Sequence, residues 1–177
     1  MHKQPKQEKV LELLRYCKTT GIFTWKKRDR SYFNCNRSHK RWNNMYCGVV
    51  AGSDTTSGHT RISFGGVRYK AHSLAFLYVY GYIPKNIDHI DHNGKNNKIK
   101  NLRAVTHQEN HRNERKSKNN TSGMTGVIWR KDTNKWAAQV MVDGKCVRLG
   151  SFKDKKDAIK ARKAANIKYG FHKNHGK

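Results

Sequence analysis

Apolar residues in this chain fall in short runs separated by polar and glycine-rich stretches, and their spacing predicts a series of small elements. Val10, Leu11, Leu13 and Leu14 give one helix an apolar side; Pro5 suits its first turn and Gly21 ends it. Residues 21–25 read as a short strand. Further on, Ile62 and Phe64 alternate with Arg61 and Ser63, and Gly65-Gly66 follows, so residues 60–64 and 67–71 predict a hairpin with one buried and one wet face. Ala71, Leu74, Ala75 and Tyr78 then recur at i, i+3, i+4 and i+7, which predicts a helix stopped by Gly81 and kept from resuming by Pro84. Residues 87–91 and 102–105 read as two short strands around a polar loop in which Asn93-Gly94 is the turn signal, since both residues tolerate positive φ. Thr106 with Glu109 three residues on reads as a capping box, opening a helix through residue 115. Residues 117–123 carry no apolar side chain and read as a linker. Three strand-like runs follow at 126–130, 135–142 and 146–149, and Ala158, Ala161, Ala164 and Ala165 supply the packed face of a helix at 154–169, with Gly170 behind it. A three-stranded sheet on one helix is a compact module. The expected class is α+β, with a first domain at 1–116, a linker at 117–123 and a second domain at 124–172.

Charge changes this picture from a fold to a function. The 177 residues hold 38 Lys+Arg against 12 Asp+Glu, a net charge of +26. Such an excess points to a polyanionic partner. Nucleic acid fits better than membrane, because the basic residues are spread along the whole chain and no long apolar amphipathic helix accompanies them. No apolar run reaches the ~18 residues of a membrane span, and the first residues lack the apolar core of a signal peptide. Cys17, Cys35, Cys47 and Cys146 show no C-x-x-C spacing, which argues against a structural zinc site and for a reducing, cytoplasmic setting. In the basic stretch 26–44 the aromatics Tyr32, Phe33 and Trp42 interleave with the charge. It reads as a loop, either plainly flexible or ordered on a DNA backbone. Charge alone equally admits a ribosomal or histone-like packaging protein.

The chemistry concentrates in residues 87–115, which carry two Asp, four His and six Asn. Hydrolysis of a phosphodiester needs a deprotonated water, stabilisation of developing negative charge, and help for the 3′ leaving oxygen. An imidazole can do the first and a hard divalent cation the other two, with Asp and Asn oxygens as its ligands. Asp88-His89, then Asn101-Leu102, then Glu109-Asn110 resembles the HNH endonuclease family, in the branch found in phage and intron-encoded nucleases. D-H-I-D followed by N-N-x-I-x-N-L-R-x-V-T-x-x-E-N carries the resemblance over about 25 residues without a gap. Residues 21–25, Val50-Ala-Gly52 and Ala71-His-Ser-Leu74 are similar to stretches that precede the nuclease unit in such proteins.

The resemblance implies a ββα-metal core at 86–115. Asp88 would ligate the metal, His89 would be the general base and Asn101 would tie the hairpin loop together. Asn110 would be the second ligand where the family name expects a third His, with His111 beside it as the alternative and His107 close by. An all-oxygen site favours Mg²⁺ or Mn²⁺ over zinc or nickel. Asp91, His92, Asn96 and Asn97 read as turn residues, with Asn96 or Asn97 near the DNA, and His72 and Tyr80 as packing residues. One tension stands: neighbours on a regular strand point to opposite faces, so Asp88 and His89 serve one phosphate only if the strand twists or ends there.

Gly126-Val-x-Trp-Arg-Lys, Lys135-Trp-Ala-Ala, Gly144-Lys and Leu149-Gly-Ser-Phe, followed by the alanines of the last helix, are similar to the AP2 DNA-binding domain over about 45 residues. That family lays its sheet in the major groove. By alternation Val127, Trp129, Ala138, Val140, Val147 and Leu149 would pack on the helix, and Ile128, Arg130, Gln139, Met141 and Arg148 would face outward. Arg130 and Arg148 would bond guanine edges or phosphates, Gln139 would read adenine, and Lys145 adds a phosphate contact. Met141 and Cys146 stand where plant members usually carry Arg, so no target sequence follows.

Together these readings predict a site-specific, metal-dependent homing-type endonuclease of double-stranded DNA, phage-encoded, monomeric, using one divalent cation and no small-molecule cofactor. The rival is a non-catalytic AP2-type DNA-binding regulator on a decayed nuclease fold. A ribosome-associated basic protein comes third.

Overall fold

The computed structural model describes residues 4–106, 109–110, 113, 116–117, 119–172 and 175–176. Its contacts divide the chain into two compact units, Met1–Val105 and Thr106–Lys177. The residues expected to complete the ββα core from Thr106 onward therefore group with the second unit. The class is mixed α+β, built on small antiparallel sheets.

In the first unit helix α1 (Gln7–Leu13) runs straight into strand β1 (Leu14–Tyr16), which pairs with β2 (Phe23–Trp25). Helix α1 is shorter than the apolar spacing suggested, because Leu14 and Tyr16 bury themselves from an extended backbone. Gly21 ends no helix; its φ of 77° turns the chain between β1 and β2.

The stretch 26–44 is not a loop. A 3₁₀ turn at Arg30–Tyr32 leads to helix α2 (Asn36–Tyr46). Two effects overcome its polar composition. The Cys35 sulfur caps the Ser38 N–H, and Trp42 packs edge-on against Trp25 with the Arg28 guanidinium 3.9 Å from its ring centre.

Strand β3 (Ser53–Asp54) adds an edge to the predicted hairpin, β4 (Thr60–Phe64) and β5 (Val67–Lys70), whose Gly65 and Gly66 both take positive φ. Helix α3 (Ala71–Tyr80) follows and ends on left-handed Gly81. Val10, Leu14, Ile62, Leu74 and Ala75 are fully buried at the centre of this unit. The core places the start of α3 beneath β6 (Ile87–His89), which pairs with β7 (Leu102–Ala104).

In the second unit Thr106 and Glu109 form a reciprocal cap: the Glu109 carboxylate accepts from the Thr106 N–H at 2.7 Å, and Thr106 Oγ1 accepts from the Glu109 N–H at 3.2 Å. Residues 119–124 hold a hydrogen-bonded turn in which Asn120 and buried Ser122 both donate to the Met124 carbonyl, so part of the expected linker is ordered. Strands β8 (Val127–Arg130), β9 (Lys135–Val142) and β10 (Lys145–Phe152) form one antiparallel sheet with β9 central, and α4 (Lys155–Lys168) packs on it. Val127, Ala138, Val140 and Ala158 are its dry interior. Trp129, expected in that interior, is half exposed and pairs edge-on with Trp136 at the sheet's end. Buried Arg162 crosses from α4 to donate to the Thr125 carbonyl.

Candidate active site

The β6–β7 connection is not a tight hairpin turn. Asn93 and Gly94 keep negative φ, and the left-handed residue is His92 at 62°. Twelve residues separate the strands, the last three of them a 3₁₀ turn at Ile99–Asn101, and their side chains hold them. Asp91 accepts from the Asn93 N–H at 2.9 Å, Asn93 accepts from the Lys95 N–H at 3.1 Å, and Asn96 donates to Asp91 at 2.6 Å. These are local turns made by short polar side chains, the property for which Asn and Asp are enriched in loops. Asn101 closes the loop from β7's threshold: its amide donates to Asp91 Oδ1 (2.9 Å) and the Asn96 carbonyl (2.8 Å) and accepts from the Asp91 N–H (3.1 Å). Gly94 has its own constraint. A Cβ there would lie 2.5 Å from His59 Nδ1 and 2.6 Å from the Gly58 carbonyl, so the loop tip rests on the β3–β4 connection.

Asp88 and His89 part company as neighbours on a strand must. Asp88 turns to its directly opposed partner Arg103, whose Nε and NH2 both donate to Oδ2, at 2.9 and 2.7 Å. The Asp88 side chain is 10% exposed and that of Arg103 31%, so water screens the pair only from the arginine side. As a hard oxygen donor Asp88 suits Mg²⁺ or Mn²⁺, and its guanidinium partner already meets part of the charge a cation would meet. Asn110 sits on the first helical turn after the Thr106–Glu109 cap, in the second unit. The other two histidines of that stretch, His107 and His111, lie outside the described residues.

His89 turns the other way, into a pocket shared with His72 and His59. Ring centres lie 5.0 Å (His72–His89), 5.6 Å (His59–His72) and 5.8 Å (His59–His89) apart. His89 Nε2 is 3.2 Å from Asn97 Oδ1, while the Asn97 amide nitrogen donates to the Lys95 carbonyl. An amide oxygen only accepts, so Nε2 carries the proton and the lone pair of neutral His89 is on Nδ1. Asn97 is itself locked. It is 3% exposed, its carbonyl accepts from the Tyr16 hydroxyl at 2.6 Å, and glycine at position 21 lets the backbone pass where any Cβ would strike Asn97 and Lys98. Burial holds the Tyr16 hydroxyl protonated, pushing its pKa up to about 12.

Burial also lowers the His89 pKa below its ordinary value, a fall only partly offset by the Asn97 bond and nearby carboxylates. His72 is pushed further, to about 3, by burial first and then by His89, Lys70 and His59. At neutral pH the pocket therefore holds uncharged His72 and His89.

Residues 69–112 match the HNH endonuclease family. That segment includes Asp88, His89, Asn101 and Asn110, and a nuclease is the activity it supports. No curated protein matches the chain, and no solved structure does. Asn97, which holds His89, and the pocket neighbours His72 and His59 are placements that sequence reasoning missed. Asn97 read as a turn residue because its burial depends on Tyr16 and Gly21, about eighty positions upstream. His72 read as packing, which its burial agrees with, but nothing in local spacing brings it beside His89.

Of the outward residues expected on the second sheet, Gln139 and Arg148 are directly paired across β9 and β10, with Met141 opposite Cys146. Arg130 is exposed at the end of β8 and held by Asp132, two residues on in the turn, at 3.0 and 3.1 Å. Lys145 is exposed at the start of β10. A bulge between Arg148 and Gly150 shifts the pairing, so Leu149 is the extra residue of that strand.

Proposed function

We propose that this chain is a metal-dependent endonuclease of double-stranded DNA, of the homing type, with its second unit as an AP2-like reader of the target. The observation that carries the proposal is the buried imidazole of His89, kept neutral and held by Asn97 in one tautomer, on the strand that also bears Asp88. A neutral imidazole with its lone pair on Nδ1 is ready to take a proton from water at neutral pH, which is what a general base must do. A divalent cation on Asp88 would neutralise charge on the phosphate and the departing 3′ oxygen, and Mg²⁺ or Mn²⁺ suits such an oxygen donor; Asn110 is the second donor that the family resemblance proposes. Asn101 keeps the loop that follows His89 in one shape. Lys98 on the same loop offers charge to the DNA backbone. On the second unit Arg148 and Gln139 form a paired polar patch that suits base edges in a major groove, and Lys145 suits a phosphate.

The test is cleavage of plasmid and cognate-site DNA with Mg²⁺, with and without chelator, beside His89→Ala. Cleavage that needs the metal and is lost in the variant is expected; unchanged cleavage by His89→Ala would remove the base assignment. The Asp88–Arg103 ion pair gives a second reading its footing. If Asp88 is committed to Arg103, the chain binds DNA without cutting it, as a regulator does. DNA binding with steep salt dependence and no Mg²⁺-dependent cleavage would establish that reading instead.

A further inference from the structure

We propose that His59, His72 and His89 form a binding site for a borderline transition cation such as Zn²⁺, separate from the oxygen site of Asp88, and that its occupation withdraws the base. The three side chains each offer a ring nitrogen, and these nitrogens lie within 4.8 Å of one another. With a metal–nitrogen bond of about 2.1 Å, the ring centre sits roughly 3.2 Å from the ion, so two tetrahedral imidazole ligands have ring centres about 5.2 Å apart. The observed separations of 5.0, 5.6 and 5.8 Å lie close to that value.

Two further features favour an occupant. His59 and His72 each keep a buried Nδ1 with no hydrogen-bond partner, and a buried polar nitrogen left unanswered is destabilising. The rings also come from three separate elements, the β3–β4 connection, the first turn of α3 and the end of β6, so one ion would clamp all three. Three imidazole nitrogens suit Zn²⁺, Co²⁺ or Ni²⁺ and leave a fourth position for water, whereas Mg²⁺ prefers oxygen.

The regulatory consequence rests on the nuclease reading above. Because Asn97 takes the Nε2 proton, the single lone pair of His89 on Nδ1 would serve either the cation or an incoming proton. The same atom cannot do both. Zn²⁺ would thus act as an inhibitor that competes with neither DNA nor Mg²⁺ for a ligand oxygen.

Cobalt is the probe, since its visible bands report coordination and a thiolate ligand adds a near-ultraviolet charge-transfer band. Titration of the full chain with Co²⁺ under reducing conditions is expected to give tetrahedral bands without the thiolate band. His59→Ala, and His59→Asn as a second variant closer in volume, should weaken binding by about a hundredfold. Zn²⁺ added to a Mg²⁺-supported cleavage reaction should stop the wild type and spare both variants. Thiolate bands, or Co²⁺ binding unaltered in both variants, would overturn the site. Binding that depends on His59 with Zn²⁺ inhibition that does not would overturn the link to the base. The cobalt measurement stands whether or not the chain cuts DNA, so a failure of the nuclease reading is distinguishable from a failure of this one.

Discussion

Acid should loosen the first unit through His72, and the size of the effect follows from its burial. In the unfolded chain its imidazole titrates near its ordinary 6.5, whereas in the fold burial beside His89, Lys70 and His59 pushes it to about 3. A histidine with a lowered folded pKa contributes fully above the unfolded value, and its contribution is lost as pH falls through the window between 6.5 and 3. At pH 5.0 the unfolded state holds that proton almost completely and the folded state hardly at all. The linkage is then about 1.5 pH units at ~1.4 kcal/mol each, or about 2 kcal/mol relative to pH 7.5. His89, shifted in the same direction, adds to the loss in the wild type. The clean measurement is a difference. Urea unfolding of wild type and His72→Gln, followed by tryptophan fluorescence at pH 7.5 and 5.0 with chelator present, cancels the acid response of every other group. The wild type should lose about 2 kcal/mol more than the variant over that interval. Equal losses in the two proteins would refute the reasoning, because they would mean that His72 gains its proton as easily folded as unfolded.

Asn97→Ala should leave the fold standing but free the His89 ring, lowering kcat by about 10- to 100-fold with little change in KM, as single-turnover cleavage would register. Gly126→Ala should destabilise the second unit by more than ~1 kcal/mol, because φ is 81° and a Cβ would run into the Gln139 carbonyl and the Arg162 side chain; a thermal melt reads this directly. Arg148→Ala should cost about 1–3 kcal/mol of affinity and relax sequence preference if that side chain reads a base, as competition binding on variant sites would show. Lys145→Ala should instead weaken binding to all sequences and reduce the slope of affinity against salt by about one.

Local rules made much of this molecule legible. The Gly65-Gly66 hairpin, the α3 helix and its Gly81 cap, the Thr106–Glu109 box and the three strands of the second sheet each rest on neighbours in sequence, where spacing and turn chemistry act. The failures share a cause as well. Helix α2 confines its apolar side chains to Trp42, Met45 and Tyr46 in its second half, and it is fixed by Trp42 meeting Trp25 and Arg28. In the loop between β6 and β7 the turn signal was read at Asn93-Gly94, whereas the left-handed residue is His92, and Asp91, Asn93, Asn96 and Asn101 satisfy the backbone. In the site, Asp88 and His89 were visible as a pair because they are adjacent. Their separation onto Arg103 and the histidine pocket, and the grip of Asn97 on His89, depend on contacts between distant segments.

That grip bears on how far the catalytic segment is portable. Asn97 is held at its backbone by Tyr16 and Gly21, both well upstream of residues 69–112. A fragment cut to the family boundary would keep every residue that names the family and lose the surface that sets the angle of His89. The N-terminal hairpin is thus part of what shapes this pocket rather than a handle for it. Grafts of this nuclease onto other DNA readers should begin before Tyr16, and shuffling among relatives would succeed only where the hairpin travels with the loop it holds.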